Sequence, residues 1–505
     1  MLFNSYIFVF LFFPICLFGY YGLLHLQKAG AARLFLVAMS FWFYGFFNVS
    51  YLIVMTGSIA GNYLFHRLLS RKPDKALMTA AVAANLGLLF FFKYFDFFLS
   101  TVNTVFGSSF ALWNLLLPLG ISFFTFQQIS FIADTYRGEV RDCPFISYAL
   151  FVSFFPQLIA GPIVQHGEML PQFEQMGKRP VSWERIAQGA GLFILGLAKK
   201  VLIADTFGAG VDYGYTNLDV LGRMDAVLVI LFYALQLYFD FSGYCDMARG
   251  IGRMLLIELP VNFNSPYKAV NIVDFWKRWH ITLNRFFMKY VYIPLGGNRK
   301  GQARTYLNLM IVFLLSGIWH GAGWNFLVWG AMHGVLYVAT RWWLRYREQK
   351  RSVRGGIRPA KEAFGVRRIK QMIMTLVSRV LLFMYVATAW VYFRAENVAQ
   401  ANRMLLTALK GPVQRISMEL ADCFRLDEFW YVLKVLRLDH MAYSRSVLMW
   451  LILAAGLYLA MVGRNTDERM ERIRYRAVSS VIFAVLAVWC VLTFSEVSTF
   501  LYFNF

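Results

Sequence analysis

Apolar stretches long enough to cross a membrane recur along almost the whole chain and are separated by short polar segments. A transmembrane helix needs about 20 mostly apolar residues. The pattern predicts such segments near 2–24, 32–48, 51–66, 77–97, 112–133, 146–164, 186–208, 224–244, 305–320, 324–343, 373–393, 446–463 and 477–500. Some are expected to be half-spans or re-entrant segments, which leaves about eleven true crossings. The sequence therefore predicts an all-α polytopic membrane protein in which residues 1–505 form a single transmembrane domain.

Basic residues between these stretches predict the orientation of the chain. Lys and Arg are concentrated in 341–370 and in 464–476, which places both segments on the cytoplasmic side. Two spans separate them, so the amphipathic segment 394–444 is expected outside the cytoplasm. The segment 341–370 is also rich in Gly, and we expect a loop there that contacts anionic lipid headgroups.

Composition supports a membrane protein and argues against other classes. Hydrophobic residues make up 59% of the chain and charged residues 15%, whereas soluble domains are nearer 45–50% and 25%. The net charge of +22 is explained by cytoplasmic loops, and no nucleic-acid motif accompanies it. The stretch 2–24 has no basic region before it, so it is expected to be the first span and not a cleaved signal. The five cysteines show no metal or disulfide spacing.

His320 lies between two apolar stretches, in the run from Ser316 to Asn325. An ionisable side chain at membrane depth is costly and by default indicates a functional site. Imidazole can transfer a proton near neutral pH. The glycines at 317, 321 and 323 leave room for a ligand or for a second backbone. His333 follows thirteen positions later; on a continuous helix it would lie ~20 Å from His320, so we expect it to be structural or to line a tunnel.

The stretch 274–290 is too polar to span a membrane and rich in aromatic residues. As one amphipathic or re-entrant helix it would place Trp276, His280 and Asn284 on a single face, because residues three and four apart are neighbours. Asp274 and Arg278 would be able to pair. An interfacial helix anchored by Trp and basic residues is the alternative.

Two further segments each allow two interpretations. Asp240 lies at the end of an apolar span, where it either lines a substrate path or pairs with Arg249, Arg278 or Arg285. The turn at 294–301, with its Gly-Gly-Asn-Arg-Lys run, is typical of a cytoplasmic loop but would also suit an anionic donor such as coenzyme A.

The chain resembles the membrane-bound O-acyltransferase (MBOAT) family, in particular the bacterial branch of the alginate O-acetylation membrane protein. The matching residues are at 117–126, 158–162, 199–205, 236–244, 274–280, 292–299 and 319–321. The resemblance implies a helical bundle around a central tunnel with re-entrant segments. It implies that His320 is the catalytic histidine and that His280 is a second polar position, which is asparagine in many lipid-modifying relatives.

From the motifs and the resemblance together we expect catalytic roles for His320 and His280. We expect substrate contacts for Trp276, Asn284, Trp319 and Asp240, with no metal and no permanently bound cofactor. Acetyl-CoA or another acyl thioester would be the donor, and His320 would act as the general base. The acetyl group would pass, directly or through a periplasmic acetyltransferase partner, to a polysaccharide such as alginate. This activity implies a multi-pass protein of the bacterial inner membrane, surrounded by lipid.

Two other functions are compatible with buried histidines in a membrane protein. A proton-coupled transporter or flippase for a lipid-linked or acyl substrate would use them as a proton relay, although no inverted repeat is evident. A polyprenyl-linked glycosyltransferase would need an acidic site in a large outer loop. The closest acidic group there is Asp422, Asp427 and Glu428 in the segment 394–444.

Overall fold

A computed structural model describes residues 1–178, 180–353, 364–424, 431, 434–437, 444–473, 477–496, 500 and 501. Within these residues the secondary structure is helical, without strands, which confirms the predicted all-α class. Several of the α-helices begin with side-chain caps, as where the Asp74 carboxylate accepts the Ala76 N–H at 2.9 Å.

The first α-helices along the chain are α1 Phe13–His25, α2 Ala29–Gly45, α3 Ser50–Arg71, α4 Lys75–Leu89, α5 Phe95–Phe106, α6 Ile121–Tyr136, α7 Phe145–Ser153, α8 Phe155–Leu158, α9 His166–Glu174, α10 Trp183–Ala198 and α11 Asp205–Thr216. They are followed by α12 Arg223–Met254, α13 Ile272–Trp276, α14 Ile281–Phe287, α15 Gln302–His320, α16 Trp324–Val353, α17 Phe364–Arg394, α18 Val398–Lys410 and α19 Met418–Asp422. The last described α-helices are Ser444–Met461, Thr466–Met470 and Ala477–Leu492. Shorter π-helical turns occupy Phe8–Phe12, Phe90–Tyr94, Lys199–Ala204 and Met288–Tyr292, and 3₁₀ turns occupy Pro266–Lys268 and Thr493–Glu496.

Six helical stretches in the described part of the chain are long and apolar enough to cross a membrane. They are Phe8–His25, Lys75–Phe106, Trp183–Thr216, Arg223–Met254, Arg368–Arg394 and Ser444–Met461. Each overlaps a segment predicted from hydropathy, so a multi-pass membrane protein is confirmed. The total of about eleven crossings stays a prediction.

The contacts divide the chain into two compact units. The first comprises residues 1–202, 240–261 and 466–505, and the second comprises 203–239 and 262–465. The single transmembrane domain expected from the sequence stays a prediction.

In the first unit, phenylalanines at the beginning of the chain form much of the core. The rings of Phe8 and Phe12 have centroids 5.5 Å apart, and Phe12 lies edge-on to Phe155 at 5.2 Å. Phe8, Phe12 and Phe155 are fully buried. Edge-to-face pairs of this kind contribute about 0.5–1.5 kcal/mol beyond the burial of apolar area.

The first unit contains a buried ion pair. Lys200 contacts Asp240 at 2.8 Å, and both side chains are almost completely inaccessible to solvent. The Leu501 N–H donates to the second oxygen of Asp240 at 3.1 Å. Asp240 therefore has a buried cation as its partner, namely Lys200, which was not among the three arginines proposed from the sequence. One carboxylate oxygen thus faces the Lys200 ammonium and the other accepts from the backbone, and both contacts hold the structure together.

A second ionic group joins the end of α6 to the beginning of α9. The buried carboxylate of Asp134 lies 3.1 Å from His166 and 3.5 Å from Arg137. Ligand atoms of Asp134, Glu139 and His166 all lie within 4.8 Å of one another, which is the spacing of a possible cation site. With both carboxylate oxygens already facing cationic or ionisable groups, an ion-pair network explains this cluster.

Two expectations about the second unit were wrong. Residues 341–353 continue α16 and residues 364–370 lie in α17, so helices occupy most of the segment that was expected to be a loop; 354–363 lie outside the described residues. The stretch 274–290 is not one helix either. It consists of α13, a turn, α14 and the beginning of a π-helical turn, because the backbone of His280 is left-handed (φ 46°) and ends any continuous helix.

The extracytoplasmic segment predicted at 394–444 contains α18 and α19, and α18 is amphipathic as expected. Asp422 forms an ion pair with Arg445 at 2.7 Å. Asp427 and Glu428, the other acidic residues of this segment's predicted group, lie outside the described residues. The pairing of Asp422 gives it a structural role and offers no support for a glycosyltransferase site.

Candidate active site

His320 is the last residue of α15, at the tip of a helical hairpin. The extended conformation of Gly321 ends α15, and after two more residues α16 begins and returns along it. Gly317 and Gly330 bring the two backbones together, since a Cβ atom on Gly330 would lie 2.6 Å from the Phe313 carbonyl oxygen. At Gly317, therefore, the room left by the glycine is taken by a second backbone. At Gly321 the ring of Phe326 fills it.

His280 is held by a network of side chains at the beginning of α14. Its Nδ1 lies 3.1 Å from Oδ1 of Asn262. The same oxygen accepts hydrogen bonds from the N–H and the hydroxyl of Thr282, at 3.2 and 2.9 Å. Because an amide oxygen only accepts, Nδ1 of His280 carries the proton in this contact, and the neutral ring has its lone pair on Nε2.

The structure brings His280 and His320 together although they lie forty residues apart in the sequence. Their ring centroids are 6.4 Å apart, and Trp319 lies 6.1 Å from His280 and 4.9 Å from His320. Both imidazoles are buried. Two imidazoles at this separation are able to contact a single bound group from two sides.

His333 belongs to the same cluster of rings, so the expected separation of ~20 Å was wrong. The chain reverses at residues 321–323, and the spacing rule for a continuous helix does not apply. Trp329 lies between the two histidines, 5.1 Å from His320 and 4.9 Å from His333. Trp276 packs edge-on against His333 at 5.1 Å and against Trp329 at 5.9 Å. We use the name histidine site for His280, His320, His333, Trp276, Trp319 and Trp329.

Several buried polar atoms of the histidine site have no hydrogen-bond partner within the described part of the protein. They are both ring nitrogens of His333 and the indole N–H groups of Trp276 and Trp329. His333 is fully inaccessible to solvent. Buried polar groups are nearly always hydrogen-bonded to protein, water or ligand, so this concentration makes the histidine site a candidate for binding a polar group.

The other predicted substrate-binding residues have different surroundings. Asn284 donates from its side-chain amide to the Trp276 carbonyl oxygen and so ties α14 to α13. Asp274 and Arg278 pair at 2.8 Å, as predicted. Asp240 belongs to the first unit, where it pairs with Lys200. Substrate contacts by Asn284 and Asp240 stay predictions, and each side chain already has a structural partner.

Sequence reasoning missed Trp329, Trp390 and Phe393, which enclose the histidines. Phe393 lies 5.0 Å from His320, and Trp390 lies 5.6 Å from Trp329. Both come from the end of α17, which is tied to α16 because the Asn325 amide donates to the carbonyl oxygens of Tyr392 and Ala395. Trp329 was open to prediction, since a turn at Gly321-Ala-Gly323 sends α16 back past His320. Nothing local in the sequence indicated the contribution of α17.

Comparison with known proteins identifies relatives that cover most of the chain. A family model described as the membrane-bound O-acyltransferase family (MBOAT) matches residues 97–386, which include all three histidines of the site. The chain is 42% identical to the peptidoglycan O-acetyltransferase of Helicobacter pylori over 443 residues, which are 82% of this chain and 80% of the relative. It is 37% identical to the probable alginate O-acetylase AlgI of Pseudomonas aeruginosa over 414 residues, 80% of this chain and 74% of the relative.

A more distant relative is the teichoic acid D-alanyltransferase of Streptococcus thermophilus, 26% identical over 272 residues, which are 49% of this chain and 63% of the relative. The breadth of the first two matches and the coverage of the family model agree with the resemblance inferred from the motifs. The chain belongs to the membrane-bound O-acyltransferase family, and it is an O-acyltransferase.

Proposed function

We propose that this protein moves an acetyl group from a cytoplasmic thioester donor across the bacterial inner membrane for O-acetylation of a cell-envelope polysaccharide. The observation that carries the chemistry is the pair of buried imidazoles, His280 and His320, at a ring separation of 6.4 Å. The names of the two broad relatives supply the acceptor class, which is peptidoglycan for one and alginate for the other. These acceptors are both glycans, so the shared chemistry is acetylation of a sugar hydroxyl.

His320 is proposed as the general base. Its ring nitrogen accepts the proton of the attacking hydroxyl while the hydroxyl oxygen bonds to the thioester carbonyl carbon. The carbon–sulfur bond then breaks, and the proton passes to the departing thiolate, which leaves as a thiol. This step requires the neutral imidazole, whose ring nitrogen has a free lone pair. The developing oxyanion needs donors, and the indole N–H groups of Trp276 and Trp329 are candidates within the histidine site.

The tautomer of His280 determines which hydrogen bonds its ring can make with a substrate. With Nδ1–H directed at Asn262, the neutral ring presents a lone pair at Nε2, so it accepts hydrogen bonds and does not donate one to a carbonyl oxygen. We therefore assign to His280 the orientation of the acceptor, through a second O–H or N–H group of that molecule. A hydrogen bond from His280 to the donor carbonyl would require the protonated ring.

The acceptor of the first transfer is proposed to be a hydroxyl on a periplasmic acetyltransferase partner or the polysaccharide itself. The family assignment favours acyl transfer over a transporter or glycosyltransferase activity, because the broad relatives are named for O-acetyl transfer. The acetyl donor is proposed to be acetyl-CoA or another acyl thioester.

The test uses sealed inner-membrane vesicles with labelled acetyl-CoA supplied on the cytoplasmic side. Label is expected on peptidoglycan fragments, on alginate or on a periplasmic partner protein with wild type, and on none of them with His320→Ala. Each acceptor is assayed separately, so the result also distinguishes the two polysaccharides. Equal transfer by wild type and by a stably inserted His320→Ala protein would contradict the assignment of the base. Label that crosses the membrane without becoming covalently attached would contradict acyl transfer and favour transport.

A further inference from the structure

The second unit contains a partly open cavity of about 620 Å³ between the beginning of α15 and the end of α16. Its polar wall includes Asn298, Gln302, Tyr306, Arg341, Arg345 and Glu348. Cavities of 300–1,000 Å³ are typical of small-molecule sites. The cavity lies at the opposite end of α15 from His320, about 27 Å away along the helix, so it is separate from the histidine site.

The wall of this cavity is rich in hydrogen-bond donors. Arg341 and Arg345 each present a guanidinium, which is the side chain best suited to phosphate oxygens, and Asn298 adds a side-chain amide. Among the described residues that line the cavity, Glu348 is the only acidic one. With its amide oxygen turned toward Arg345, Gln302 accepts from Nε and Nη2 at 3.0 and 2.9 Å. This contact fixes one guanidinium at the wall without neutralising its charge.

The helix that carries both arginines has features typical of a helix end near a membrane surface. The helix α16 has 30 residues and a length of about 45 Å, which exceeds the ~30 Å hydrocarbon core. Exposed aromatic side chains, Trp342, Trp343 and Tyr346, surround the arginines on the same helix end. Trp and Tyr are enriched where helices leave the hydrocarbon region, at the level of the headgroups.

We propose that this cavity, the arginine pocket, binds a phosphate-bearing anion through Arg341 and Arg345. Two sources supply this chemistry at a cytoplasmic membrane surface: the phosphodiester headgroup of an anionic lipid, and the phosphates of a soluble nucleotide-like molecule. The proposal concerns binding alone and does not depend on acyl transfer by the histidine site.

The test measures binding to the full-length protein purified in a neutral detergent. Phosphatidylglycerol is titrated and retained lipid is counted by native mass spectrometry, with phosphatidylcholine as the zwitterionic comparison. The double variant Arg341→Gln/Arg345→Gln is compared with Arg347→Gln. Arg347 is exposed on the same helix end and is not among the residues that line the cavity, so its substitution removes charge from the helix end without touching the pocket.

Wild type and Arg347→Gln are expected to bind one phosphatidylglycerol, or the soluble probe ADP, at least about tenfold more tightly than the double variant, because only the double variant loses its charge-assisted bonds to phosphate. Retention of phosphatidylglycerol that ADP does not displace identifies a headgroup site. Binding of ADP that excludes the lipid identifies a site for soluble phosphates.

Equal affinity of wild type and the double variant for both probes would overturn the proposal. So would an equal loss in Arg347→Gln, since binding would then reflect the diffuse positive charge of the helix end. All variants are exposed surface substitutions, and thermal unfolding confirms that each is folded before binding is compared.

Discussion

Two clusters of buried polar groups, one in each unit of this protein, differ in their partners. In the first unit, Lys200 and Asp240 are both inaccessible to solvent and contact each other at 2.8 Å. In the second, the ring nitrogens of His333 and the indole N–H groups of Trp276 and Trp329 are buried without hydrogen-bond partners among the described residues. A buried charge that is paired contributes to the folded structure. Buried hydrogen-bonding groups without a protein partner instead indicate a site that binds a polar ligand. The comparison therefore separates positions where substitution should affect stability from positions where it should affect activity.

The largest effect is expected for His320→Ala in the histidine site. Removal of a general base typically lowers the rate of the chemical step by about 10²–10⁴-fold, and acetyl transfer should fall by this amount. The midpoint of thermal unfolding in detergent should change little. His25→Ala, at an exposed histidine, is the control and should retain full transfer. If His320→Ala loses thermal stability as well as activity, His320 has a structural role, and the distinction between the two clusters would be wrong.

The next effect belongs to the first unit. Lys200→Met leaves the carboxylate of Asp240 buried without its cation, and loss of one partner of a buried pair costs about 3–5 kcal/mol of unfolding free energy. The double variant Lys200→Met/Asp240→Asn removes both charges and should recover much of that loss. Thermal and denaturant unfolding measure both. A double variant that is stable yet inactive would agree with the substrate contact predicted for Asp240 from the sequence.

A smaller loss of stability is expected for Gly330→Ala in the hairpin of α15 and α16. The added Cβ would meet the Phe313 carbonyl oxygen at 2.6 Å, and overpacking of this kind costs about 1–3 kcal/mol. Gly61→Ala is the matched control, because Gly61 is also helical and a Cβ added there would have nothing within 4 Å. It should be neutral or stabilising by up to about 1 kcal/mol. Unfolding midpoints that fall equally in both variants would refute a close approach at Gly330.

The smallest effect on stability is expected for His333→Phe, and its direction is the informative part. Phenylalanine keeps the ring contacts with Trp276 and Trp329 but removes two buried nitrogens that lack partners among the described residues, so the variant should be as stable as wild type or more stable by about 1–2 kcal/mol. Acetyl transfer should nevertheless fall. His333→Gln, which keeps polar atoms, should retain more activity than the phenylalanine variant. Unchanged transfer in His333→Phe would assign the residue to packing alone.

The fold could largely be predicted from the sequence, since hydropathy depends only on local composition. Six predicted spans coincide with helices long and apolar enough to cross a membrane. The ends of helices were harder to predict. The segment 341–370 is rich in charged residues and glycine, yet α16 and α17 extend into it. A helical segment of mostly charged and polar residues lacks the apolar pattern from which a helix is predicted.

The site could be predicted only in part from the sequence, because chain reversals bring distant residues together in it. The prediction for His333 used a rule for a continuous helix, and three residues at 321–323 made that rule inapplicable. Trp390 and Phe393 belong to α17, far along the chain from His320. Contacts between residues so far apart in the sequence produce no periodic pattern from which they could be predicted. His280 was singled out for its polarity, but its partner Asn262 lies in an irregular segment that no pattern marked.

The left-handed backbone at His280 limits which side chains this position tolerates. Outside glycine, the conformation at φ 46° is populated chiefly by asparagine, aspartate and histidine, whereas β-branched residues are strongly disfavoured. The family resemblance gives histidine here and asparagine in many lipid-modifying members. Both belong to that small set, so conformational cost as well as chemistry restricts the alternatives. For mutational work, His280→Asn replaces the imidazole while keeping the backbone relaxed, and His280→Val would combine the loss of the ring with strain in the turn between α13 and α14.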